Sequence, residues 1–431
     1  MLVPASRAVL ASRAAGTRAA LRLAAAAPAP ASAPRVAPIA ACVPQAMKLF
    51  HTVSPRQSNA RTGLYDFHVA NGGKMVSFGG YDMPLSYGDV GQVASHHHVR
   101  NECGLFDVGH MVQHRFKGPG SLAFLESLVP TSLAPLGPYS SSLSVLLNDE
   151  GGILDDLIIS KQADEAEWYV VTNAGRRTED LAHLAAKLKA WRGEAVDHEI
   201  LDGWGLVALQ GPKAAQVLEK HTSADLKALT FGKSVVADVD GVQCHIARGG
   251  YTGEDGFEIS IPPASTEMVT AALVATEPVQ LAGLAARDSL RLEAGMCLYG
   301  HDLDESISPI EAGLAWVVSK DRRARADFPG AQRILDELKQ GPPRRRVGLV
   351  IEKAPAREGA EVVSASQAEP ETLGVVTSGI PSPTLGQNIA MAYVKNGHHK
   401  KGTEVMVQVR KQLRQAKVTG MPFVPSKFYR G

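Results

Sequence analysis

The first sixty-five residues contain no acidic side chain at all; Asp66 is the first. Over that stretch Arg7, Arg13, Arg18, Arg22, Arg35, Lys48, Arg56 and Arg61 are scattered among alanine and serine. An acid-free, Arg- and Ala-rich start has the composition of an organelle-targeting presequence. On a helix advancing about 100° per residue, Arg7, Arg18 and Arg22 fall within roughly 60° of one another, whereas Arg13 does not. A secretory signal needs an unbroken apolar stretch, and Arg13, Arg18 and Arg22 interrupt the candidate. Residues 1–61 are therefore read as a cleavable presequence for the mitochondrial matrix, with import into a chloroplast left open by this segment alone.

Cysteine is scarce. Cys42, Cys103, Cys244 and Cys297 are widely spaced and form no C-x-x-C pair, which argues against a zinc knuckle or a disulfide framework. No apolar run approaches the ~18 residues that cross a bilayer, so no membrane association is expected. Lys plus Arg number 45 against 44 for Asp plus Glu, a balance without the basic footprint of a nucleic-acid partner. The short basic runs Arg344-Arg345-Arg346 and His398-His399-Lys400-Lys401 read as solvated surface. There is no GK[ST] phosphate loop and no G-x-S-x-G nucleophile elbow. His96-His97-His98 has the wrong spacing for a metal, because neighbours on a helix diverge by about 100°.

What is present is the length of two or three domains, 431 residues, with 45% hydrophobic content. Residues 64–133 read as mixed α/β: a turn-rich start and a helix near 91–101. Strands follow at 140–147 and 153–160, joined by the turn residues Asn148-Asp149-Glu150-Gly151-Gly152. A third strand spans 168–172, and 177–191 has helical spacing with Leu181, Leu184 and Leu188 on one side. A second unit starts near 200, with strands at 206–210, 242–248 and 257–261 and a helix over 281–293 that stops at Gly295. Beyond Pro342-Pro343 the pattern changes to short strands at 346–352, 373–377, 389–394 and 404–409, which suggests a small barrel or sandwich. The expected organisation is 62–340 in two α/β subdomains divided near 200, then 341–431.

Three segments look chemical. In Gly151-Gly152-Ile153-Leu154-Asp155-Asp156-Leu157-Ile158-Ile159, adjacent strand residues face opposite ways, so the two aspartates cannot both reach water if apolar neighbours cover both faces. A carboxylate among leucine and isoleucine is suited to proton handling or charge stabilisation; the plainer alternative is a strand-end cap. In Gly249-Gly250-Tyr251-Thr252-Gly253-Glu254-Asp255-Gly256-Phe257-Glu258, glycines permit close backbone approach, and Glu258 could hold a guanidine-like ring edge through paired N–H bonds. A decorated surface hairpin explains the segment equally well. Arg287 and Arg291 lie one helical turn apart, either as a surface ion-pair ladder or turned inward onto a ligand.

Taken together the segments resemble one family, the glycine-cleavage T-proteins. The likeness rests on Leu64-Tyr65-Asp66-Phe67-His68, Gly72-Gly73-Lys74-Met75-Val76, Gly104-Leu105-Phe106-Asp107-Val108-Gly109-His110-Met111, Tyr169-Val170-Val171-Thr172-Asn173-Ala174-Gly175 and the aspartate, glycine-rich and arginine segments above. It continues through Arg344-Arg345-Arg346-Val347-Gly348-Leu349, Gly374-Val375-Val376-Thr377-Ser378-Gly379 and Met421-Pro422-Phe423-Val424-Pro425. Gly109 departs from the family's usual serine.

The resemblance implies an α+β cloverleaf of three domains around a central folate pocket, the last a small β-barrel. It implies transfer of an aminomethyl group from the lipoylated H-protein to tetrahydrofolate as co-substrate, with ammonia released, and looser association with the P- and L-proteins. Neither metal nor flavin is implied. Asp156 becomes the catalytic aspartate, orienting the folate N10 region and stabilising the cation formed as ammonia departs. Glu258 would hold the pterin edge. Tyr251, Met111, Leu143, Tyr169, Val171 and Asn173 would line the pocket, and Arg287, Trp316 and Arg346 would complete it. The family's C-terminal tyrosine aligns with Phe428, with Tyr429 beside it. Two relatives of the fold compete: the demethylating region of sarcosine or dimethylglycine dehydrogenases, which carries a flavin-binding region upstream, and the iron–sulfur-assembly proteins, which carry a Lys-Gly-Cys motif absent here.

Overall fold

The computed structural model describes residues 59–366 and 370–431. The presequence reading, with all its basic residues except Arg61, lies outside them, as does Cys42.

Two open sheets and a closed barrel carry the architecture. The first sheet is antiparallel throughout, in the order Ser141–Leu147, Ile153–Lys161, Glu167–Thr172, Val112–Lys117, Asp197–Ile200. Its opening hairpin is fixed by Asn148, whose side-chain oxygen accepts from the backbone N–H of Glu150 at 3.1 Å and of Gly152 at 2.8 Å. A Cβ at Gly152 would lie 1.7 Å from the Glu305 carbonyl oxygen, so only glycine fits that close approach.

The second sheet runs Ser234–Val239, Val242–Arg248, Gly256–Ile261, Gly205–Gln210, Cys103–Asp107, Val279–Leu281. The final pair is parallel. Cys103–Asp107 joins this sheet while the next strand, Val112–Lys117, joins the first, so the chain passes between the two sheets early. The turn-rich start is itself a hairpin, Gly73–Phe78 with Tyr81–Tyr87; the glycines that obscured it occupy its turn with positive φ at Gly79 and Gly80.

The C-terminal strands close into a six-stranded barrel, Arg344–Ile351, Gln387–Lys395, Thr372–Ser382, Glu361–Ser364, Glu404–Val409, Gln412–Thr419 and back to the first. Closure leaves no unpaired edge, and Val347, Leu349, Val376, Ala392, Val405 and Val418 fill the interior.

One helix, Leu284–Glu293, touches the helix Gln92–Asn101, the hairpin strand Tyr81–Tyr87 and the barrel strand Thr372–Ser382. The residue expected to start it, Leu281, instead ends a strand, and Gly283 lies in between because a side chain there would strike the Leu85 carbonyl oxygen. Its end is as expected. Gly295 has φ of 71°, its N–H donates to the Leu292 carbonyl at 3.0 Å, and the Met296 N–H donates to the Arg291 carbonyl at 3.0 Å.

Candidate functional site

Strand alternation separates the two aspartates of Ile153–Lys161. Asp155 turns to the covered side with 0% exposure, and Asp156 turns to the other face, where it is half-buried. Cross-strand pairing places Ile158 beside both Leu143 and Val171 on that same face, and Gln113 is paired with Val171. Tyr169 lies two residues from Val171, and its hydroxyl donates to Gln113 Oε1 at 2.8 Å. Met111, two residues before Gln113, packs into the same apolar group as Tyr169 and Val171. An apolar carpet with a single carboxyl group set into it is the result.

The second sheet faces this carpet. Ser260 donates its hydroxyl to the same Gln113 Oε1 at 2.5 Å, and Glu258, two residues earlier on that strand, turns the same way. Glu258 has no hydrogen-bond or ion-pair partner among the described residues; burial raises its pKa and the nearby Arg287 guanidinium opposes the rise. Arg287 stands over the Tyr251 ring, 4.7 Å from its centroid, with buried Nη1 unpartnered. Burial lowers its proton affinity, against the pull of Glu258 and Tyr251. The Tyr251 hydroxyl donates to the Cys297 carbonyl, and the Asp156 charge is felt at both residues.

Asp156 is held by one side chain. Asn173 Nδ2 donates to Asp156 Oδ1 at 2.9 Å. Burial, then the neighbouring Asp155 carboxyl, push the Asp156 pKa up to about 7, with the Asn173 bond opposing. The group is thus balanced between acid and base near neutrality, the condition for moving a proton.

From the barrel, Arg346 donates through Nε to the Ala312 carbonyl at 2.8 Å and through Nη1 to the Gly295 carbonyl at 3.1 Å. With Arg344 bonded to Glu311 at 2.9 Å, the basic run at 344–346 is not the solvated surface expected of it. Trp316, on the turn Ala315–Val317 beside the strand Ser141–Leu147, is 61% exposed. Phe428 and Tyr429 are engaged elsewhere. Phe428 stacks on Phe231 at 4.2 Å, and Tyr429 lies beneath Arg248 at 4.1 Å with its hydroxyl donating to the Lys227 carbonyl at 3.2 Å.

Two plainer alternatives fall away. The glycine-rich turn is no surface hairpin: Thr252 and Glu254 are fully buried, and Glu254 accepts from Arg100 at 3.0 Å and Lys427 at 3.1 Å. Arg291 is no surface ladder: it is buried and bonded to Asp302 at 2.6 Å and Ser378 at 2.9 Å. His96 is buried against Ser289 at 2.8 Å and Thr384 at 2.9 Å. Reading the residues missed His110, whose imidazole borders Arg287, whose Nδ1 is buried without a partner, and whose pKa burial lowers to about 4. It also missed Asp180 beside Asp155. Both lie in quoted or helical segments, but nothing local distinguishes them.

An apolar floor carrying one proton-balanced acid, opposite an unpaired acid and an unpaired guanidinium, defines a class of protein: one that handles a small polar molecule between α/β lobes. Residues 64–322 match the GCVT N-terminal domain, and residues 344–425 match the glycine cleavage T-protein C-terminal barrel domain. The chain is 48% identical over 372 residues to the Homo sapiens protein named aminomethyltransferase, mitochondrial, covering 86% of this chain and 91% of that one. It is 46% identical over 385 residues to the Schizosaccharomyces pombe probable aminomethyltransferase, mitochondrial, covering 89% and 98%. The crystal structure of glycine cleavage system aminomethyltransferase T from Bartonella henselae superposes with a TM-score of 0.81 at 38% identity, covering 86% of this chain and all of that one. The chain belongs to the glycine cleavage T-protein family, the aminomethyltransferases. Matches of this breadth favour neither the dehydrogenase nor the iron–sulfur-assembly alternative.

Proposed function

We propose that this chain transfers the methylene of an aminomethyl group, carried on the dihydrolipoyl arm of H-protein, to tetrahydrofolate. Ammonia and the free dihydrolipoyl thiol are the other products. The observation that supports it most is that Asp156, Glu258 and Arg287 share one electrostatic neighbourhood in which Arg287 Nη1 is buried without a partner and Glu258 has no hydrogen-bond or ion-pair partner among the described residues. A buried unpaired charge costs several kcal/mol unless something binds it, and a folate supplies the matching groups.

Glu258 would accept two parallel N–H bonds from the pterin edge. Arg287 would complement a carbonyl or carboxylate of the same ligand, while Tyr251, Met111, Leu143, Tyr169 and Val171 exclude water and hold the ring. Bound tetrahydrofolate would supply two nitrogen nucleophiles that bridge the methylene. Asp156, fixed by Asn173, would use its ionised form to stabilise the cationic carbon as ammonia leaves and to take a proton from the attacking nitrogen. Electrostatic preorganisation of this sort contributes about 3–4 kcal/mol per well-placed group. Trp316 and Arg346 would border the entrance.

The relatives' names support placement in mitochondria; residues 1–61 would serve as a presequence, 62–340 as the folate-binding region and 341–431 as the barrel. Association with the P- and L-proteins would be looser. The test is tetrahydrofolate-dependent ammonia release from aminomethylated H-protein. Asp156→Asn should bind folate but lose turnover at least about 100-fold; near-normal turnover would refute the role of Asp156.

A further inference from the structure

We infer that Gln113 is a positioning residue of the pocket: its side-chain amide sets the gap between the apolar floor and Glu258, the acid placed against the pterin edge. This rests on the proposed folate site, and gives a part to a buried polar side chain that has none in the transfer itself.

Gln113 lies in the layer where the two sheets meet. That layer is apolar: Tyr169 and Val171 reach it from the first sheet, and Phe106, Leu206 and Ala208 from the second. Gln113 is set into it with 2% exposure. A primary amide in such surroundings costs free energy unless its hydrogen bonds are made. Both of its ends are bonded. Nε2 donates to the Trp204 carbonyl at 3.2 Å and, at a longer 3.5 Å, to the Gly205 carbonyl. Oε1 accepts from the Tyr169 hydroxyl at 2.8 Å and from the Ser260 hydroxyl at 2.5 Å.

One orientation of the amide satisfies this set. Carbonyl oxygens cannot donate, so the NH2 group has to face Trp204 and Gly205, and the amide oxygen has to face the two hydroxyls. Both hydroxyls must then donate, because the oxygen they meet only accepts. A flipped amide would set oxygen against oxygen at Trp204. The side chain is therefore fixed, and it fixes its four partners in turn.

Those partners flank the site on both sides. Tyr169 is part of the floor, as is Met111, two residues before Gln113. Ser260 is two residues from Glu258 on Gly256–Ile261 and shares its face. Gly205 opens the strand Gly205–Gln210, which pairs with Gly256–Ile261 so that Leu206 lies opposite Ser260 and Ala208 opposite Glu258. Gln113 thus grips the Glu258 strand directly and also through its neighbour. Glu258 has no hydrogen-bond partner of its own among the described residues, so its strand places its carboxyl. The Glu258 charge is felt across the gap at Tyr169.

Calorimetry of tetrahydrofolate binding to the full chain near neutral pH tests this. Gln113→Ala should weaken binding about 10-fold. Ser260→Ala, which releases the Glu258 strand and leaves Gln113 in place, should weaken it several-fold. Both losses should shrink to less than about two-fold once Glu258→Gln has removed the group being positioned, whereas a general loosening of the pocket would add in full.

Gln113→Glu gives a second readout. A neutral carboxylic acid reproduces the amide, donating to one carbonyl and accepting from the two hydroxyls; its ionised form cannot donate and turns a charge onto the Trp204 carbonyl. The Kd of Gln113→Glu relative to wild type should approach one in mild acid and rise with pH, a dependence that Gln113→Ala lacks. Ser260→Ala covers Gln113 variants that fail to fold. Losses undiminished in the Glu258→Gln background, or a Gln113→Glu ratio that ignores pH, overturn the inference. A wild-type chain that binds no tetrahydrofolate overturns the proposed folate site itself, and the role of Gln113 with it.

Discussion

The helix Leu284–Glu293 carries two arginines with opposite circumstances. Arg291 is saturated, bonded to Asp288 at 2.9 Å, Asp302 at 2.6 Å and Ser378 at 2.9 Å. Arg287, one turn earlier, keeps a buried nitrogen unpartnered among the described residues, with Glu258, the Tyr251 ring and His110 nearby. At the helix end Glu293 is likewise saturated, taking bonds from Arg100 at 2.8 Å, Ser382 at 2.5 Å and Thr384 at 2.7 Å. Glu258 is not. The same residue types thus form a structural knot at one end of the helix and an open site at the other. Saturation separates the two ends and burial follows it: Arg291 and Glu293, buried and paired, hold the barrel strand Thr372–Ser382 to the helix, whereas the half-buried Arg287 and Glu258, without ion-pair partners among the described residues, await a ligand.

That contrast can be broken most decisively at the knot. Glu293→Ala leaves Arg100 and His96 buried without their shared acid, and removing one partner of a buried pair costs about 3–5 kcal/mol. Urea midpoints should fall accordingly, and turnover should fail only because the protein unfolds. At the open end the sign reverses. Glu258→Gln should leave the unfolding free energy from urea titration at or above that of wild type, since no hydrogen-bonded partner is lost and a half-buried charge is removed. It should instead raise KM for tetrahydrofolate by about 10- to 100-fold, the value of one charge-assisted bidentate contact. A stability loss at Glu258 as large as that at Glu293 would erase the distinction.

The sequence exposed the parts of this arrangement that depend on local pattern. Hairpin chemistry at Asn148–Gly152, the stop at Gly295 and the alternation that splits Asp155 from Asp156 are all near-neighbour effects, and the structure has them. The barrel was visible from strand spacing, but Glu361–Ser364 and Gln412–Thr419 were not: the first is four residues long and the second has only Leu413, Ala416 and Val418 as apolar residues, without a regular alternation. Nor could spacing say that Cys103–Asp107 leaves its neighbours for the second sheet, because that is decided by pairing with Gly205–Gln210 a hundred residues on. Site partners follow the same rule. Asp180 meets Asp155 across 25 positions, and Arg291 finds Asp302 only after the chain has turned back. Resemblance carried Phe428 and Tyr429 to the pocket's edge, yet both rings are held by Phe231 and Arg248.

The smallest effect is the most discriminating, because it asks whether the open site is held at a cost to the fold. Burial and then Asp155 raise the Asp156 pKa from the ordinary carboxyl value of 3.8 to about 7. A group raised in the folded state binds its proton more tightly there than in the unfolded chain, so its contribution is fully present below the unfolded pKa and is lost as pH rises through the folded one. Stability attributable to Asp156 therefore declines between about pH 4 and pH 7 and is gone above it. Asp156→Asn keeps the Asn173 contact but cannot ionise. It should match wild type in thermal unfolding at or below about pH 4 and exceed it by a few degrees at pH 8, while turnover at pH 8 is lost. Saturated acids must behave otherwise: Glu293 is held down to about 2 by His96, Ser382 and Thr384, so Glu293→Gln should destabilise at pH 8 and approach wild type only in strong acid. If Asp156→Asn proved less stable than wild type at pH 8, Asp156 would belong with the knot and not with the site.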